Sequence, residues 1–108
     1  MTDSHNAALD MLQQQLKELD AVEKKTVTEN LNTVGGTEQV HKWKARTVPL
    51  IAQHLGPAAA KLFVDTKPGP SFTNDLFEEF SDEVEVYRSA IRKLMKEAQS
   101  PGTKGGPA

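Results

Sequence analysis

The chain reads as all-α, a small bundle of about four helices with long first and last members. Leu9, Leu12, Leu16 and Leu19 step by three and four residues, which keeps them on one side of a helix. Phe77, Phe80, Val84, Tyr87, Ile91, Leu94 and Ala98 do the same near the other end. No stretch alternates apolar and polar residues over a useful length, so no strand is expected. The two stripes define a coiled-coil-like seam.

The first helix is expected over residues 5–30, capped by Asp3 or Ser4, whose short side-chain oxygens can satisfy unpaired N–H groups. Ala8, Met11 and Val22 flank its leucine stripe; Asp10, Gln13, Lys17, Asp20 and Lys24 occupy the opposite face. After Val22 the apolar signal fades, and Asn32, Gly35 and Gly36 are expected to break the chain. Thr37 then caps a second helix over residues 38–55, with Val40, Trp43, Thr47, Leu50, His54 and Leu55 on one face. Pro49 has no N–H and its ring crowds the carbonyl of Ala45, which predicts a kink or break. Gly56 suits a helix end and Pro57 the first turn of a short third helix, residues 57–65, anchored by Leu62 and Phe63.

Lys67-Pro68-Gly69-Pro70-Ser71 is a stiff connector. The last helix is expected over residues 74–98, capped by Thr73, with Phe72 and Phe77 placed as a hydrophobic staple and a bend possible at Ser81. Its acids (Asp75, Glu78, Glu79, Asp82, Glu83, Glu85) precede its bases (Arg88, Arg92, Lys93, Lys96), the order that complements the helix dipole. Residues 99–108 form a Pro/Gly tail with nothing to bury. Residues 1–98 thus make one helical domain. Trp43, Leu50, Leu55, Leu62, Phe63, Phe72, Phe77 and Phe80 are expected to dominate the core.

Composition narrows the function. The 108 residues are 37% hydrophobic and 26% charged, with a formal charge of −2, so nothing draws the chain globally to nucleic acid or anionic lipid. With Cys absent there is no disulfide, thiolate metal site or thiol nucleophile, which suits a cytoplasmic protein. The start is too polar for a signal peptide, and no apolar run approaches a membrane span.

Candidate sites each meet a plainer alternative. His41, Lys42, Lys44 and Arg46 surround Trp43, a pattern able to hold a nucleic-acid backbone and stack on a base, yet Trp43 lies on the apolar face and belongs in the core. His5, His41 and His54 lack metal-ligand spacing. The acids from Glu78 to Glu85 lack the Gly and spacing of a calcium loop and fit a solvated face or a dock for a basic partner. Gly35-Gly36-Thr37 lacks the ending of a phosphate loop and reads as an interhelical turn. Ser71, Thr73 and Ser81 have no positioned base.

Val40-His41-Lys42-Trp43-Lys44-Ala45-Arg46-Thr47, then Leu55-Gly56, Phe63 and Tyr87-x-x-x-Ile91-x-x-Leu94 resemble a small helical module of bacterial defence proteins. In those proteins it precedes nucleotide-binding, TIR-type or other effector domains. The resemblance covers residues 37–98; Pro49 inside the motif helix departs from it, and no effector domain follows within the chain. It implies oligomerisation or partner sensing and transfers no catalytic residue.

The sequence therefore leads to a non-enzymatic protein-interaction or oligomerisation module without cofactor or metal. The expected interaction seam is Leu9, Leu12, Leu16, Leu19, Tyr87, Ile91 and Leu94, joining a second copy or a helical partner. The rival reading is a small regulator that binds nucleic acid or a nucleotide through Lys42, Lys44 and Arg46. If the seam is buried within one chain, the monomer is favoured.

Overall fold

The computed structural model describes residues 2–70 and 73–99. Four α-helices follow one another: α1 (Thr2–Lys24), α2 (Thr33–Leu55), α3 (Pro57–Asp65) and α4 (Leu76–Gln99). The described residues contain no strand, so the all-α bundle with long first and last helices is the fold. α1 packs against α2 and α4, and α3 folds back on α2.

α1 begins at Thr2, ahead of the expected start at residue 5 and of Asp3 and Ser4. It ends at Lys24. The chain widens into a π-helical turn, Lys25–Asn30, in which the Thr28 hydroxyl donates to the Lys24 carbonyl at 2.6 Å. Leu31 closes the turn at φ 54°, its N–H reaching the Thr26 carbonyl at 2.8 Å. This is a left-handed conformation that a branched side chain adopts at a cost.

Asn32, not Thr37, caps α2: its Oδ1 accepts the Gly35 N–H at 3.0 Å. Gly35 and Gly36 therefore lie in the first turns of α2 and do not break the chain. Gly36 has a packing role. A Cβ there would stand 2.5 Å from Thr26 Cγ2 and 2.9 Å from Phe80 Cε1. Only a bare α-carbon lets α2 approach both the π-turn and α4 this closely.

α2 runs through Pro49 without a break. Proline deprives the Ala45 carbonyl of its helical donor, but Ala45 and Pro49 are both exposed and water can take that carbonyl. Gly56 ends the helix at φ 98°, a conformation that favours glycine, and Pro57 opens α3.

α4 starts two residues later than residue 74 because Asp75, not Thr73, provides its cap. Asp75 Oδ1 accepts the N–H groups of Phe77 and Glu78 at 2.9 and 3.3 Å. Thr73 Oγ1 sits one step earlier, accepting the Asp75 N–H and donating to Glu78 Oε1. The helix continues through Ser81. The staple involving Phe72 lies outside the described residues, as do Ser71 and the tail from Ser100 onward.

The core gathers where all four helices meet. Trp43 is 0% exposed; its ring meets Phe63 of α3 edge-on at 5.8 Å and Tyr87 of α4 at 6.2 Å. Its Nε1–H donates to the Gln15 carbonyl of α1 at 2.9 Å. Leu12, Leu19, Val40, Ile51, Phe80, Val84 and Ile91 fill the space around it. Leu50 and Leu55 are only half-buried. Two expected core residues are outside: Leu62 is 67% exposed and Phe77 38% exposed. α3 buries Ala60 and Phe63, a spacing that turns Leu62 to solvent. Phe77 precedes the first fully buried turn of α4, which begins at Phe80.

Thr47 is buried with Gln15 and bonds both to Gln15 Oε1 (3.1 Å) and to the Trp43 carbonyl (2.7 Å). One hydroxyl carries one proton. Both contacts are satisfied together when Thr47 donates to the carbonyl and receives from the Gln15 amide nitrogen, the other rotation of that amide. Among the described residues no buried side-chain nitrogen or oxygen lacks a partner.

Two expectations follow for urea titrations followed by circular dichroism. Ile91→Ala should lose about 2–5 kcal/mol of stability while Leu62→Ala changes it by less than about 1 kcal/mol. Gly36→Ala, though favourable for helix propensity, should destabilise by about 1–3 kcal/mol because the methyl meets Thr26 and Phe80.

Candidate protein-interaction surface

Placement of the seam decides which surface is free. Leu12, Leu19, Tyr87, Ile91 and Leu94 are buried, and Leu9 and Leu16 half-buried. Leu12, Leu19, Tyr87, Ile91 and Leu94, with Leu16 packed against them, hold the helices together inside a single chain, so most of the seam's apolar surface is already covered.

The interface between α1 and α4 is locked on its outer side by Arg88. Its guanidinium bonds to Asp20 Oδ1 (3.0 and 2.7 Å), to Glu23 Oε1 and to Glu85 Oε1 (2.6 Å). Burial works against the charge, but the hydrogen bonds that Arg88 donates to Glu23, Asp20 and Glu85 outweigh it and hold Arg88 above its ordinary pKa. The same bond, with help from Ser89, draws the Glu85 carboxyl below its ordinary value of 4.5. Nothing in the charge order along α4 distinguished Arg88 from Arg92; only the i−3 position of Glu85 was a local hint.

The three cations of the rival site do not share a face. Lys42 and Arg46 are exposed, Arg46 lying 3.7 Å from Glu18 of α1. Lys44 turns the other way: its Nζ donates to the carbonyls of Val64 and Thr66 at 3.0 and 2.8 Å, capping the end of α3. It also lies 4.9 Å from the Tyr87 ring centroid and 5.9 Å from that of Phe63. Burial and then neighbouring Lys67 lower its pKa, against the pull of Asp65 and Glu83. Burial, then Glu83, raises that of the Tyr87 phenol. Residues two apart on a helix point about 200° apart, which turns Lys44 away from Lys42 and Arg46, whereas those two, four apart, share the exposed side.

His41 Nε2 lies 3.2 Å from Glu83 Oε2, and His54 is half-buried. His5 lies outside the described side chains. Among the described residues no three His, Asp or Glu side chains converge as a metal set would require. None of the described helices is long and apolar enough to cross a membrane.

Besides Leu62 and Val64 on α3, the exposed large apolar side chains cluster at the starts of α2 and α4. Val34 at the start of α2 is 79% exposed and Leu76 at the start of α4 is 60% exposed. Between them opens a cleft of about 530 Å³, floored by Phe80 and Val86 and walled by the connector Pro68-Gly69-Pro70. Glu79, Asp82 and Glu83 edge it. Leu31, 62% exposed, precedes the same end of α2. Sequence reasoning missed this surface because Val34 fell in an expected turn and Leu76 was passed over beside Phe77. An apolar residue in the first turn of a helix, next to its cap, was the available signal.

Comparison with protein-family models, curated proteins and solved structures finds no match to this chain.

Acid should weaken the Arg88 cluster. A carboxyl with a depressed folded pKa contributes stability above its unfolded value and loses it as pH falls through the folded one. Melting followed from neutral pH to below 4.5 should show Glu85→Gln losing less stability than the parent over that acid range.

Proposed function

We propose that the chain is a non-enzymatic, cytoplasmic protein-interaction module that works through the apolar end formed by α2 and α4. The observation that carries this is the contrast between a core with satisfied polar atoms and large apolar side chains left bare at Val34 and Leu76. Solvated apolar groups gathered in one cleft mark a site of contact. The polar groups found together elsewhere serve the fold: Arg88 ties α1 to α4, Lys44 ends α3, and Thr47 bonds its own helix. Among the described residues they form no arrangement of nucleophile, base and electrophile around a substrate-sized space.

Because the leucine seam is spent within one chain, association with a second copy or with another helical protein falls to this end of the bundle. The nucleic-acid reading through Lys42, Lys44 and Arg46 has less support, since Lys44 is committed to α3. The resemblance over residues 37–98 is what favours a defence setting, where such a module would sense or assemble a partner.

The test combines a hydrophobic dye with a Val34→Ser, Leu76→Ser double variant. Both side chains are largely exposed, so the melting temperature should stay near that of the parent. Dye fluorescence should fall several-fold. Equal dye binding by parent and variant would remove the reading.

A further inference from the structure

Resting on the interaction reading of this cleft, we propose that its occupant is a basic amphipathic helix of another protein, with its apolar stripe between Val34 and Leu76 and its Lys or Arg side chains over Glu79 and Asp82. The length suits such a guest. Leu76 and Val86 mark the ends of the α4 wall, ten residues apart, which is about 15 Å of helix or nearly three turns. A helix laid in a groove uses anchors over that span, at i, i+3 or i+4, and i+7.

Charge selects the sign of the partner. From Leu76 to Glu83, α4 carries Glu78, Glu79, Asp82 and Glu83 and no Lys or Arg. Glu83 is shared with His41, and Glu78 receives a hydrogen bond from Thr73. Glu79 and Asp82 have no ion-pair partner among the described residues. Opposing this acidity are Lys44, held inward on α3, Lys67 beside the connector, and the N-terminal poles of α2 and α4, each equivalent to about half a charge. The two unpaired carboxylates on the rim leave the edge acidic where a partner would arrive.

Other occupants fit less well. A second copy joined through the same cleft by a two-fold axis would bring Glu79 and Asp82 against their own counterparts, a like-charge arrangement that disfavours pairing. Residues 100–108 offer Pro and Ala as their only apolar side chains, too little to fill the cleft. An acidic guest meets the same repulsion as a second copy.

Fluorescence anisotropy with the full chain and two labelled synthetic helices tests the proposal. The peptides share one leucine stripe; one carries Lys and Arg along its flanks and the other Glu. The basic peptide should bind at least about tenfold more tightly than the acidic one and weaken as salt is raised. Glu79→Lys with Asp82→Lys should reverse that preference, and Val34→Ser with Leu76→Ser should weaken both peptides. Equal binding of the two peptides, lost in the serine variant, would overturn the charge selection while leaving the interaction reading intact. No binding of either peptide would overturn both. A mass that doubles with concentration in light scattering, and does so only while Leu76 is present, would make the second copy the occupant and overturn the proposal.

Discussion

Everything in this fold is arranged around a single indole. Trp43 leaves α2 and touches each of the other helices: Phe63 on α3, Tyr87 on α4, and the Gln15 carbonyl on α1. Phe63 and Tyr87 close the triangle at 6.1 Å. A Trp side chain supplies a large apolar area and one obligatory donor. The donor fixes the height of α1 against α2, because an unpaired buried N–H would cost about 1–3 kcal/mol. The aromatic faces then fix α3 and α4. Burial of large aromatics and the close approach at Gly36 together leave little freedom in how these helices pack.

This arrangement determines which surfaces remain for function. Once α1 and α4 are drawn onto the Trp43 cluster, Leu12, Leu19, Ile91 and Leu94 become internal and Arg88 seals their outer edge. Lys44, which a linear reading leaves in solvent, is pulled over the Tyr87 ring to finish α3. The start of α4 and the start of α2 are left at one end, where caps and the proline connector occupy the backbone and Val34 and Leu76 stay largely exposed. Association there would use a surface that folding does not consume.

Much of the fold was legible in the sequence. The leucine and aromatic stripes located α1 and α4 because burial on one side of a helix imposes its period on the residue types. Gly56-Pro57 marked the α2–α3 junction because few other pairs suit a positive φ followed by a helix start. Errors arose where tertiary contact overrode local preference. Gly35-Gly36 resembles a turn, yet both lie in α2, where Thr26 and Phe80 occupy the space a side chain at Gly36 would need. Ile51, fully buried, was overlooked beside Leu50 because Pro49 disturbs any reading of phase. Leu62 was assigned inward as an anchor of the short third helix and Phe77 from its place in the stripe, although a short helix and a first turn can each bury only part of their surface. The cleft was least legible: it is made by residues from separate elements, and no local pattern records their meeting.

The central claim, that the four helices close on Trp43 within one chain, can be tested through the intrinsic fluorescence of that residue, the sole tryptophan of the sequence. A blue-shifted emission, shielded from acrylamide and unchanged on serial dilution, should be lost in the same urea transition as the helical circular dichroism. Emission typical of solvated indole would contradict the account, and so would shielding that disappears on dilution while helicity persists, since the apolar seam would then be closed by a second molecule.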